Sequence, residues 1–314
     1  MLECYYKNRK EKTMYIADMH CDSILKVSAD RGLVTKENIS AKRHQLQFFA
    51  TFVPHGGSAP EARRRRLMHY LDVYLSECAR LNLVQVRNCH DLNFAIEFER
   101  NAAIFSVEGG GGLFSDSEEL GTLYQAGLRI LGMAWESNEL AASAWDENDT
   151  GLTDAGRALA QRCCELGIIL DVSHLSDRAT SQLLDLTAYP LLATHSNFRE
   201  ICASPRNLPR DLASKIAARG GVIGINLYPP FLNESGEATD TDILRHVDFG
   251  LENYGESAIG FGFDIDGTDG RYPLGYGGDS IHDRVCDMLL SHYSASVVDR
   301  IAGGNVIDFC KNNL

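Results

Sequence analysis

One pattern recurs along this chain: a short apolar run, a loop that opens on polar residues, then an amphipathic helix. Tyr15 to Ala17 leads into Asp18, His20 and Asp22. Ala102 to Val107 leads into Glu108 and the glycines at 109–112, and Leu128 to Ala134 into Trp135. Ile168 to Val172 leads into His174, and Leu191 to Ala193 into His195. Val222 to Leu227 leads into Tyr228, and Ala258 to Phe263 into Asp264 and Asp266. Runs this short and apolar read as strands buried on both faces. The segments between them read as helices. Leu67, Tyr70, Leu71, Tyr74, Leu75 and Cys78 fall at helical spacing behind the arginines at 63–66, which read as a solvated face. Thr153 caps a helix that runs to Leu166 and stops at Gly167; Ser176 caps the next, up to about Leu186. Residues 211–219 and 242–253 are two more.

Strand and helix in alternation imply a parallel sheet covered by helices, and eight such units close as a (β/α)8 TIM barrel. A doubly wound open sheet is the alternative. The first strand lacks a G-x-G-x-x-G turn, and ligand-type residues sit after strand upon strand, where a barrel gathers its active site. Both points favour the barrel. A chain of 314 residues accommodates one such domain, over 14–314, behind a polar and basic extension, 1–13, that reads as disordered.

Composition removes other classes. The net charge of −13 argues against nucleic-acid binding and against anionic membrane surfaces. No apolar run is long enough to cross a bilayer, and the start has no apolar core of a signal peptide. Nine cysteines without a paired spacing read as free thiols in a reducing, cytoplasmic setting.

His20 and Asp22 are two apart in a strand, so both side chains face one way. With Glu108, His174, His195 and Asp264 at other strand ends, they form a mixed nitrogen and oxygen set suited to Zn²⁺ or a similar divalent ion. Filling a core with so many ligand-type residues would be costly. The remaining histidines, 44, 55, 69, 90, 246, 282 and 292, read as structural.

The residues around this set are familiar: ADMHCDSI at 17–24, SVEGG at 106–110, GLTDAGRALAQRCCELGIILDVSHLSD at 151–177, ATHSNFREICASPRNLPRDL at 193–212, GGVIGINLYPPFL at 220–232 and GFGFDIDGTD at 260–269. The chain resembles the membrane dipeptidase (renal dipeptidase) family of zinc peptidases, as a cytosolic, bacterial-type member. The resemblance implies the (β/α)8 fold of metal-dependent hydrolases and a dipeptidase that cleaves small dipeptides through a metal-bridging hydroxide. It implies two Zn²⁺ per chain, one on His20 and Asp22, the other on His174 and His195, with Glu108 bridging. It gives Asp264 the catalytic proton transfer, and Arg206 the substrate's carboxylate end or the oxyanion. Trp135, Asn138 and Tyr228 join Arg206 as substrate-binding residues, and Asp18 becomes a partner that orients a ligand. A homodimer is implied weakly; neither a membrane nor a nucleic-acid partner is expected.

One departure stands out. The family's typical members carry a histidine where this chain has Trp135, and an indole offers a donor only. Losing an oxyanion donor costs about 10²–10³ in rate. Trp135 therefore favours, as an alternative, a related binuclear amidohydrolase for another small amide or ester. A catalytically weak metal-dependent binding protein is the further alternative, against which the retention of Asp264 beside a full ligand set counts.

Overall fold

The computed structural model describes residues 14–29, 43–53, 59–111, 117–276 and 281–314. The expected extension, 1–13, and His55 lie outside the described residues. Among the described residues, nine strands form one parallel sheet: β1 (Ile16–Cys21), β2 (Gln45–Phe52), β3 (Val84–Gln85), β4 (Ala102–Glu108), β5 (Leu128–Gly132), β6 (Ile169–Asp171), β7 (Leu192–Ala193), β8 (Val222–Ile225) and β9 (Ile259–Phe261). Their order, β2-β1-β9-β8-β7-β6-β5-β4, closes on itself because β2 also pairs with β4 from Leu46↔Ala102 to Phe52↔Glu108. The result is an eight-stranded (β/α)8 barrel, with β3 as a short addition beside the start of β4.

Alternate residues divide the core. Ala17, Met19, Leu46, Phe48, Ile104, Ile130 and Leu192 pack together with Val306 and Phe309, so the C-terminal helix Asn305–Asn313 shares the inner cluster. Residues of opposite parity, such as Ile16, Phe49, Phe105 and Leu131, join the cluster formed with the surrounding helices. The expected caps are present: Thr153 Oγ1 accepts the Gly156 N–H, Ser176 Oγ accepts that of Ala179, and Gly167 ends its helix at φ 78°.

Three features correct the sequence reading. Strand β2 has no counterpart in it, because Gln45 and Gln47 interrupt the apolar run. Both are buried, with Gln45 Nε2 donating to Gln47 Oε1 at 2.7 Å and Gln47 Nε2 to the carbonyl of Asp18 at 3.2 Å. The helix expected around Leu67 to Cys78 is longer, Pro60–Leu81. Its arginines are not all solvated: Arg63 is buried and donates to the carbonyl of Val53, while Arg65 and Arg66 are exposed. The eight cysteines among the described residues are all free thiols. No helix of the described residues is long and apolar enough to cross a membrane.

Candidate functional site

The chemistry gathers at the C-terminal ends of the strands. His20 Nε2, on β1, lies 3.9 Å from Asp22 Oδ2, 3.9 Å from Glu108 Oε2 and 3.8 Å from Asp264 Oδ1. Glu108, the last residue of β4, turns its other oxygen elsewhere. Its Oε1 is 2.6 Å from Nε2 of His174 and 3.2 Å from Nε2 of His195, and those two nitrogens are 2.8 Å apart. One carboxylate thus faces His20 with one oxygen and the His174–His195 pair with the other. The imidazoles of His20 and His195 themselves lie close, with centroids 3.7 Å apart and planes tilted by 34°.

Buried polar groups hold this arrangement. Asp171, at the end of β6, accepts the backbone N–H groups of Ser173 (3.0 Å) and Thr194 (2.9 Å) and the Thr194 hydroxyl (2.5 Å). That clamps β6 to β7 and brings their histidines together. With its proton given to Asp171, Thr194 Oγ1 accepts from Nδ1 of His195, 2.8 Å away. His195 Nε2 is then the nitrogen with the free lone pair, and it points at Glu108 and His174. Asp18 accepts the N–H groups of His20 (3.2 Å) and Phe263 (3.1 Å) and faces Nε2 of His282 at 2.8 Å. It joins the His20 end of the barrel to the Asp264 end. Asn226 donates to Asp264 Oδ2 at 3.1 Å, which leaves Oδ1 toward His20.

His174 (φ 70°), Asp264 (φ 60°) and Asp266 (φ 72°) adopt left-handed backbone conformations. Each costs about 1–2 kcal/mol for a residue with a Cβ, and strain of this kind persists where the surroundings over-determine it. Gly267 closes over the carboxylates: a Cβ there would stand 2.1 Å from Asp264 Oδ1 and 2.3 Å from Asp22 Oδ2.

The set carries strongly perturbed charges. Burial alone would lower His20, but the carboxylates of Glu108 and Asp22 outweigh it and raise the imidazole to about 10. Burial would raise Glu108, yet His174 and His20 hold it well below the usual carboxylate range. Burial, with Arg206 adding to it, lowers His174 to about 4, and burial with His20 keeps His195 neutral as well. Burial lifts Asp264 to about 7, with Asp22 and Glu108 contributing.

These residues fit a divalent cation. His20, Glu108 and His195, and separately His20, Asp22 and Asp264, bring ligand atoms within 4.8 Å of one another. Asp22 Oδ1 is buried without a hydrogen bond from the described residues. A buried acceptor left so costs about 1–3 kcal/mol, which a cation would offset. Imidazole with carboxylate is a donor set that first-row divalent ions accept.

A cleft of about 580 Å³ opens on this set, lined by Asp22, Lys26, Phe52, Glu108, Trp135 and Asp266 among others. Trp135 is 42% exposed, with its ring 4.6 Å from Phe52 and 5.9 Å from His174. Arg206 is buried; its Nη2 donates to the carbonyl of His195 at 3.2 Å and its Nε has no hydrogen bond among the described residues. Tyr228 stands farther out, its hydroxyl accepting from Arg271 at 3.2 Å. Asn138 is turned to its own loop: its amide donates to the carbonyls of Met133 and Glu136, and its oxygen accepts from Leu140. Asp266 is taken up by Lys26 and Ser23. Phe52, Asn226, Asp171, Thr194 and Gly267 escaped the sequence reading. The GFDIDG block around Gly267 was the one signal that could have flagged it.

The family model described as membrane dipeptidase, peptidase family M19, matches residues 8–312. The chain belongs to that family. Membership makes it a hydrolase of the metallo-dipeptidase type, in a metal-dependent family. An uncharacterized protein in the pqqA 5′ region of Klebsiella pneumoniae is 30% identical over 223 residues, 67% of this chain and 82% of that protein. Dipeptidase 3 of Mus musculus is 28% identical over 253 residues, 78% of this chain; the match spans about half, 50%, of the mouse protein. Among solved structures, a dipeptidase of family M19 superposes with a TM-score of 0.84 at 24% identity, covering 96% of this chain and 99% of that one. A metallopeptidase of Rhodobacter sphaeroides, liganded with a phosphinate mimic of L-Ala-D-Ala, superposes with 0.83 at 22% identity, covering 96% and 100%. Both establish likeness of fold.

Proposed function

We propose that this protein is a zinc dipeptidase that hydrolyses small dipeptides, with two Zn²⁺ per chain held by His20, Asp22, Glu108, His174 and His195. The observation that carries the reading is the split of Glu108, one oxygen toward His20 and the other toward His174 and His195. That disposition suits a carboxylate shared between two cations. Such cations supply a nucleophilic water at neutral pH and stabilise the oxyanion that develops on the attacked carbonyl.

The chain's own residues do the rest. Asp264 accepts the water's proton at Oδ1, the oxygen that Asn226 leaves free, and returns it to the departing nitrogen. A carbon–oxygen bond forms, the carbon–nitrogen bond breaks, and two amino acids leave. Arg206, buried with an Nε that has no partner among the described residues, pairs with the substrate's carboxylate, which offsets the cost of its own burial. Asp22 and Asp264 receive the free ammonium. A site that pairs both ends of a zwitterion excludes longer peptides, because blocked ends would leave buried charges unmatched.

The test is hydrolysis of a dipeptide panel by metal-depleted protein, with and without added Zn²⁺, alongside N-acetylated and C-amidated controls. Zinc-dependent cleavage that is lost on blocking either end is expected. Cleavage that survives blocking would overturn the roles of Asp264 and Arg206.

A further inference from the structure

Two kinds of surface line the cleft. Asp22, Glu108, Asp266 and Asp269 give it acidic groups, and Phe52 and Trp135 give it a broad apolar plate. The plate is built into the frame. Phe52 is the last residue of β2, paired with Glu108 at the end of the neighbouring strand β4. Trp135 rests on it, and a Cβ on Gly109 would touch both, at 3.4 Å from the Phe52 ring and 3.4 Å from Trp135 Cβ. An indole left 42% exposed beside a metal-type site, on a rigid support, keeps its apolar face available to a ligand.

We propose that the Phe52–Trp135 plate selects dipeptides whose N-terminal residue has a broad apolar side chain of leucine or phenylalanine size. The inference rests on the dipeptidase reading above. The N-terminal position follows from the cleft's charges. Of the two acids that receive the free ammonium, Asp22 lines the same cleft as the plate, and Asp264 brings a carboxylate oxygen within 4.8 Å of that of Asp22. The cation suited to the far carboxylate, Arg206, is buried against the carbonyl of His195 and the Phe231 ring.

The test compares kcat/KM of the metal-loaded protein for Leu-Gly, Ala-Gly, Gly-Leu and Gly-Ala. Leu-Gly should exceed Ala-Gly by about tenfold or more, the scale set by a few methylenes in an apolar pocket, while Gly-Leu and Gly-Ala stay close together. W135A should erase the first ratio and leave the second. W135F, which keeps an aromatic face without the N–H, should retain most of it and guards against a variant that misfolds. Binding supplies a readout apart from turnover. In W145F protein, whose remaining tryptophan is Trp135, the ketomethylene isostere of Leu-Gly should change the indole emission and bind about tenfold more tightly than that of Ala-Gly. Cleavage with equal ratios in wild type and W135A overturns the plate and leaves the dipeptidase standing. Absence of any dipeptide cleavage overturns the dipeptidase; the plate then stands if the isosteres still discriminate and falls if they do not.

Discussion

His174 and His195, 21 residues apart, bring their Nε2 atoms to 2.8 Å of each other, and both reach the same oxygen of Glu108. The strands behind them explain how. β6 and β7 are neighbours, and the Asp171 carboxylate binds the end of one to the end of the other. The backbone of His174 then takes a left-handed turn that aims its ring at its partner.

Asp171→Asn tests that support. It keeps the shape but removes the charge that accepts the Thr194 hydroxyl and, through it, fixes His195. Groups that orient metal ligands typically contribute 10–100-fold in metal affinity or activity. A loss of about that size is expected, measured by competition with a chromogenic chelator, with the melting temperature showing that the barrel persists. Unchanged affinity would mean that the clamp does not position His195.

Gly267→Ala should act on the other half of the site. The new Cβ would meet Asp264 Oδ1 at 2.1 Å and Asp22 Oδ2 at 2.3 Å, so both carboxylates must shift. The expected outcome is one bound ion fewer per chain and activity lowered by about 10²-fold or more, the scale of losing one stabilising group at the reacting centre. Full metal content and normal turnover in the variant would contradict this.

Much of this was legible beforehand because buried parallel strands are short apolar runs and their ligand-type ends stand out against them. Thr153, Gly167 and Ser176 marked helix ends through caps that need those residue types. β2 stayed hidden because Gln45 and Gln47 look like a break and act as a buried hydrogen-bonded pair beneath Asp18. Phe52 was lost with it. The side chain of Asn138 is engaged in its own loop, a contact that residue type and spacing do not show. Arg63 looked solvated beside its neighbours, and only the folded helix shows that it turns inward to Val53.

Asp264→Asn addresses proton transfer. The amide nearly matches the carboxylate in size, so it should leave folding intact while removing the acceptor. A fall in kcat of about 10²–10⁴ is expected, the usual range for a general acid–base group. A fall in metal content alone, with turnover per bound metal unchanged, would make Asp264 a ligand and not a proton carrier.

His246 gives a stability prediction away from the chemistry. Its Nε2 is 3.2 Å from the carbonyl of Leu232, and its Nδ1 accepts the Phe198 N–H at 3.3 Å. A second proton would have to displace that N–H. Burial holds the ring's pKa down to about 4, despite the bond to Leu232, against about 6.5 in an unfolded chain. Above pH 6.5 both states are neutral and the group has no effect. As pH falls from 6.5 to 4, the unfolded chain binds a proton that the folded one refuses, and stability drops by about 3 kcal/mol in all. Against His246→Gln, the wild-type protein should lose melting temperature more steeply over that window. Parallel pH curves would show that His246 does not carry the difference.

The central claim is that one glutamate joins two cation sites. Metal-depleted protein, dialysed to equilibrium against excess Zn²⁺ and counted by atomic emission, tests it most directly. The account predicts two ions per chain in the wild type, and fewer in both Glu108→Gln and the double variant H174A/H195A. Fewer than two ions in the wild type, or two in all three proteins, would contradict it.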